Sequence, residues 1–140
     1  MKSLPFVLVF AAICLTISCK KEKQQPIPQP PGASARTIRF ILYTNQDFSN
    51  DDDTISFLLT IRSNTGTINS RTIFDSTLTT IKIKDIPGPS NKLVFEKKIP
   101  NDDGSILTAG FVYTTRFGVG WSLDTCGANQ KLKVIEYPFR

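Results

Sequence analysis

The sequence predicts an all-β domain, an antiparallel β-sandwich of about eight strands, from three observations. Short runs rich in Ile, Val, Thr and Phe recur through residues 36–140. Within the clearest of them apolar and polar residues alternate, the period of a half-buried strand. Clusters of Asn, Asp, Gly and Pro separate the runs, and no stretch among them repeats its apolar residues at the 3.6-residue period of an amphipathic helix.

Taken in order, the strands are expected near Thr37 to Thr44, Thr54 to Arg62, Ser70 to Phe74, Thr79 to Lys84, Lys92 to Lys98, Ser105 to Thr115, Val119 to Leu123 and Leu132 to Tyr137. The second carries the plainest pattern. Ile55, Phe57, Leu59 and Ile61 fall on one face and Ser56, Thr60 and Arg62 on the other, with Leu58 breaking the alternation. Ile81 and Ile83 against Lys82 and Lys84, then Leu93 and Phe95 against Lys92 and Glu96, repeat it. The connections Ser63-Asn64-Thr65-Gly66, Pro87-Gly88-Pro89, Asn101-Asp102-Asp103-Gly104 and Phe117-Gly118 supply residues suited to tight turns. Links this short join antiparallel neighbours and leave no room for parallel crossovers. The general shape is therefore immunoglobulin-like or transthyretin-like, without the cysteine pair that flanks the central tryptophan of antibody domains.

The residues ahead of this domain have a different character. Lys2 precedes an apolar stretch from Leu4 to Ile17, followed by Ser18 and Cys19, the layout of a secretory signal. Those 14 residues fall short of the roughly 20 that span a bilayer as a helix. From Lys20 to Ala35 the chain is Lys, Gln and Pro-rich, with Pro26, Pro28, Pro30 and Pro31 in quick succession. Such a run cannot pack a core and favours polyproline II, so it reads as a spacer reaching up to about 50 Å. The expected organisation is a signal peptide at 1–18, a lipidated cysteine and tether at 19–35, and the sandwich at 36–140.

Leu15-Thr16-Ile17-Ser18-Cys19 resembles the lipobox of bacterial lipoprotein precursors. The resemblance implies that the Cys19 sulfur receives a diacylglyceryl group, that cleavage precedes it, and that the new amine is acylated. Two or three chains anchor stably where one holds only marginally. It also implies export through the general secretory route and a place in the cell envelope, at the outer membrane of a Gram-negative-type cell.

Charge and cysteine narrow the functions. The pI of 9.2 is basic, but four of the 17 Lys and Arg lie in the leader and tether, at Lys2, Lys20, Lys21 and Lys23. The remaining 13 face 11 acids in residues 36–140, so the domain carries only +2. That is no basic stripe of the kind nucleic acid requires. Cys14 leaves with the signal and Cys19 is lipidated, so Cys126 has no intrachain disulfide partner and reads as a small buried or half-buried residue. The chain contains no histidine. Ser-His-Asp and Cys-His catalysis, histidine-ligated zinc and phosphate-binding glycine loops all lack their residues.

Two patterns point to binding. If every strand crosses the sandwich, the loops after the first, third, fifth and seventh share an end, and they carry Asp47, Asp51, Asp52, Asp53, Asp75, Asp102, Asp103 and Asp124. Of these, Asp47, Asp51, Asp52, Asp53, Asp102 and Asp103 are candidate ligands for Ca²⁺, which takes six to eight hard oxygens, although the same residues also make solvated turns. The opposite end would carry Arg36, Arg62, Arg71, Lys82, Lys84, Lys92 and Arg116 and face the membrane. Tyr43, Tyr113, Trp121, Tyr137 and Phe139 could instead supply a stacking platform, though aromatic residues in sandwich strands more often fill the core.

The reading that follows is a lipid-anchored, non-catalytic envelope module for binding, adhesion or assembly. It needs no cofactor, and its partners are the membrane and an envelope protein or glycan, not nucleic acid. The alternative is a Ca²⁺-binding sandwich of C2-like behaviour, and a third reading is an envelope hydrolase using paired carboxylates.

Overall fold

The computed structural model describes residues 34–128 and 130–140, apart from the side chains of Ser34, Asn101 and Asp102. All eight expected strands are present: β1 (Ser34–Thr44), β2 (Thr54–Ser63), β3 (Arg71–Thr77), β4 (Ile81–Lys82), β5 (Leu93–Asp102), β6 (Leu107–Thr115), β7 (Gly118–Cys126) and β8 (Leu132–Phe139). They form two sheets. Sheet A has the order β5-β1-β8, and sheet B the order β3-β2-β6-β7 with β4 paired to the start of β2. Turn chemistry behaves as the sequence requires, since Asn64, Gly66 and Gly104 take positive φ in the links between strands and Gly118 does so at the start of β7.

The sheets are two layers around one core because the period-two pattern puts an apolar face on each. Ile38, Phe40 and Leu42 of β1 turn inward from sheet A, as do Ile135 and Phe139 of β8. Ile55, Phe57, Leu59 and Ile61 of β2 meet them from sheet B, joined by Leu107, Ala109 and Phe111 of β6. Phe111 stands edge-on to Phe40 and Phe57, with ring centroids 5.7 and 6.3 Å apart, and stacks on Tyr137 at 5.6 Å. Edge-to-face and offset pairs contribute about 0.5–1.5 kcal/mol each beyond their buried area.

Three details depart from the sequence expectation. β1 and β8 pair in parallel, Thr37 opposite Leu132 through Thr44 opposite Phe139. A short link forbids parallel pairing only between consecutive strands, and here the rest of the domain is the connection.

The expected fourth strand, Thr79 to Lys84, shrinks to two residues. Beyond Lys82 the Ile83 and Lys84 amides donate to the carbonyls of Asp53 (2.8 Å) and Asp51 (3.1 Å) in the β1–β2 link, and a 3₁₀ turn at Ile83–Asp85 replaces the ladder. β4 therefore does not cross the sandwich, and every later loop changes ends. Asp102 and Asp103 fall beside the start of β1, whereas Asp47 and Asp51 to Asp53 lie at the far end with Lys82, Lys84, Lys92 and Arg116. The expected charge polarity along the long axis, and the membrane-facing pose built on it, do not hold.

Arg36 is the third departure, being 1% exposed where a solvent-facing cation is expected. Its guanidinium donates to the carbonyls of Ser105 (3.0 Å) and Ala128 (3.3 Å) and lies 3.8 Å from the Cys126 sulfur. It ties the β5–β6 and β7–β8 loops together at the end where β1 begins. Cys126 is fully buried there as a free thiol, in keeping with its packing role.

Candidate functional site

The outer face of sheet B is apolar in its middle and polar at its rim. Strand register sets it in rows running from β7 through β6 to β2: Trp121, Val112 and Leu58; Leu123, Gly110 and Thr60; Thr125, Thr108 and Arg62. These are the outward members of the alternation whose inward members build the core. Trp121 is 70% exposed, Leu123 beside it 42%, and Val119 60%. Gly110 opens the middle of this face. A Cβ there would collide with the Ser122 backbone carbonyl, so no side chain fits and the neighbouring residues frame a depression.

The depression is a groove of about 190 Å³ lined by Thr60, Arg62, Thr65, Thr108, Val112, Trp121 and Leu123. Thr60 forms part of the lining, yet it is only 2% exposed, and its Oγ1 has no hydrogen-bond partner among the described residues. An unpaired buried hydroxyl costs about 1–3 kcal/mol. The groove thus brings the exposed Trp121 together with Thr108 and the exposed Arg62, while the Thr60 hydroxyl lies beneath its surface. A flat ligand with an apolar face and peripheral hydrogen-bonding groups matches that set, the usual composition of a small-molecule pocket. None of the lining residues is a carboxylate, so the groove has no acid–base pair.

The six candidate calcium residues do not converge. The side chain of Asp102 lies outside the described part, and Asp103 sits at the β1-start end, bonded to Arg71 at 3.1 Å. At the far end Asp47 Oδ1 accepts from the Ser49 amide (3.0 Å), and this hydrogen bonding holds its carboxyl below the usual range. Asp51 accepts from the Asp53 amide, and Asp53 pairs with Arg116 at 2.8 Å. Hydrogen bonds from Lys84 and then Lys82, at 2.7 and 2.9 Å, hold Asp52 down at about 2. Among the described residues no group of three or more His, Cys, Asp or Glu is placed to hold a metal ion. The open cavities at this end, about 470 and 530 Å³, are lined largely by these loops.

The five candidate aromatics divide. Tyr113, Tyr137 and Phe139 pack with one another inside the sandwich, with centroids 5.8–6.2 Å apart. Burial, then hydrogen bonding with Tyr113, raises the Tyr137 phenol. Tyr43 carries the Lys92 ammonium 4.1 Å over its ring. Trp121 alone of the five stands on the outer face of sheet B. Cys19 lies outside the described residues. Thr60, Arg62, Thr65, Thr108 and Leu123 are functional candidates that sequence reasoning missed. The outward alternation of β2 marks Thr60 and Arg62 as surface residues, but their companions come from β6 and β7, and single-strand periodicity carries no register between strands.

Comparison with known proteins brings no relative to this arrangement: no family model, no curated protein and no solved structure matches the chain.

Proposed function

We propose that this chain is a lipid-anchored, non-catalytic binding module of the bacterial cell envelope, and that its ligand is a saccharide of the envelope seated in the Trp121 groove. The observation that carries the reading is the groove on the outer face of sheet B, where the exposed indole of Trp121 shares a lining with Thr108, Val112 and the exposed Arg62. A sugar ring presents C–H groups to an aromatic face and hydroxyls around its edge. Arg62 and Thr108 would meet those hydroxyls. The Lys2, Leu4 to Ile17 and Cys19 arrangement supports the address, with Cys19 lipidated and the domain held off an outer membrane by a 20–33 spacer, shorter than the expected tether by Ser34 and Ala35, which belong to β1. At the acidic loops, Asp52 and Asp53 already have cationic partners, which gives the Ca²⁺ alternative no comparable support.

Trp121 is the only tryptophan in the chain, so its emission reports on the groove directly. Titration with soluble peptidoglycan and lipopolysaccharide oligosaccharides is expected to shift or quench that emission saturably, and Arg62→Ala is expected to weaken the response. An emission spectrum indifferent to every saccharide would defeat the ligand assignment. The address is tested separately. Cys19→Ala is expected to abolish acyl labelling and membrane retention, and a variant still labelled and membrane-bound would refute lipidation at that sulfur.

A further inference from the structure

We propose that β7 is a homodimerisation edge, where a second copy of this chain pairs antiparallel about a two-fold axis at Trp121 and joins the two B sheets into one. This goes beyond the ligand reading and does not rest on it. The edge strands are β5 and β8 in sheet A, β3 and the two-residue β4 along one side of sheet B, and β7 along the other. Proteins guard such edges with proline, charge and irregular pairing. β5 carries Pro100 with Glu96, Lys97 and Lys98, and β8 carries Pro138 with Lys133 and Glu136. β3 is short, carries Arg71 and Asp75, and has a register shift against β2 between Ile61 and Arg62. β7 has nine residues, regular register with β6 along its whole length, no proline and one charge, Asp124.

The open part of this edge can be located. The Thr125 amide donates to the Asp124 carboxylate at 2.7 Å, so it points away from β6. Backbone groups alternate in direction along a strand, and the edge-facing amides of β7 are therefore those of the odd residues 119, 121, 123 and 125. Asp124 already caps the last. The edge left open is Val119 to Leu123, centred on Trp121.

An antiparallel partner with its axis at Trp121 uses the whole of that segment in both copies. Val119 then stands opposite the partner's Leu123 and Trp121 opposite the partner's Trp121, all on the outer face, where they are now 42–70% exposed. The inward residues also fit, with Gly120 opposite the partner's Ser122 and Gly118 opposite the partner's Asp124. No like charges meet. Shifting the axis to Ser122 would require Thr125 to surrender its cap, and the one charge of the strand, held by Lys133, stays clear of the axis in the favoured register. A second copy is the occupant the strand fits best, because the open segment is symmetric about one residue and both halves are apolar.

The test uses the full chain. Sedimentation equilibrium over a wide concentration range is expected to show the mass rising from one chain towards two. Trp121→Lys, which sets two ammonium groups against each other on the axis, is expected to hold it at one chain while thermal melting stays cooperative. Register is read by oxidative cross-linking, with wild type as the blank for the chain's own cysteines. Mixed Val119→Cys and Leu123→Cys chains are expected to form a covalent dimer, and each alone is not, since like positions then lie four residues apart. One-chain mass at every wild-type concentration would overturn the proposal, as would a dimer that survives Trp121→Lys. Cross-linking of the Val119→Cys chain alone, as efficient as in the mixture, would overturn the register.

Discussion

Thr60→Val tests the cost of the hydroxyl buried beneath the groove. The hydroxyl of Thr60 is buried and without a partner among the described residues, so a methyl group of nearly the same shape removes a desolvation cost and adds apolar contact. An unpaired buried hydroxyl costs about 1–3 kcal/mol by mutational measure. Valine is also at least as good a strand former, so a gain of about 1–2 kcal/mol is expected. For a domain of this size each kcal/mol moves the midpoint by about 4 °C or slightly more, which gives a rise of roughly 4–8 °C. Differential scanning calorimetry measures it, with urea denaturation as a check that the m-value is unchanged. The same variant is expected to leave the saccharide response of Trp121 in place, since that hydroxyl lies beneath the groove surface and out of a ligand's reach. A fall in the midpoint would refute the reasoning, because it would mean that the hydroxyl has a partner in the folded protein.

Two further variants test the frame around the site. Phe111→Ala removes a fully buried ring that touches Phe40, Phe57 and Tyr137. It is expected to cost about 3–5 kcal/mol, seen as a large drop in the urea midpoint, and a loss under 1 kcal/mol would contradict the described core. Asp52→Asn tests the acidic side of the pH profile. The Asp52 carboxyl sits at about 2 in the folded state, against 3.8 unperturbed. Its contribution is thus present above about pH 4 and lost as pH falls through 2. The wild-type midpoint is expected to fall more steeply than that of Asp52→Asn over this window, and parallel curves would show that the Lys82 and Lys84 pairs are too solvent-screened to matter.

How far the fold was legible follows from where its information resides. Strand positions are a local property, and the alternation of Ile55, Phe57, Leu59 and Ile61 gave both the strand and its buried face. Connectivity is not local. The fourth strand looked as good as the others, with Ile81 and Ile83 against Lys82 and Lys84, but its last residues bond to the Asp51 and Asp53 carbonyls instead of to a neighbouring strand. That competition between two hydrogen-bonding partners is invisible to periodicity, and it reverses the parity on which the grouping of the acids depended. Arg36 was misplaced for a related reason, since its partners are backbone carbonyls of two distant loops. The carboxylates drew attention as clustered oxygen ligands, but the structure resolves them into turn bonds and ion pairs.

Trp121 was visible as an aromatic residue and not as the wall of a groove, and the difference lies in one glycine. Gly110 interrupts β6 where an outward side chain would otherwise fill the space between Leu123 and Thr60. Glycine in a strand interior usually weakens it, and the close approach of the Ser122 carbonyl explains why no other residue is accommodated. The same vacancy gives the indole an open flank. Because the groove lies on the broad face of sheet B and not at either loop end, its floor is set by the rigid ladder of β2, β6 and β7. A ligand there would meet a preformed surface, with little ordering cost on the protein side. In a sandwich built this way the acids of the β1–β2 link are taken up by turn amides and ion pairs, and the proposed ligand would meet the face of the sheet instead.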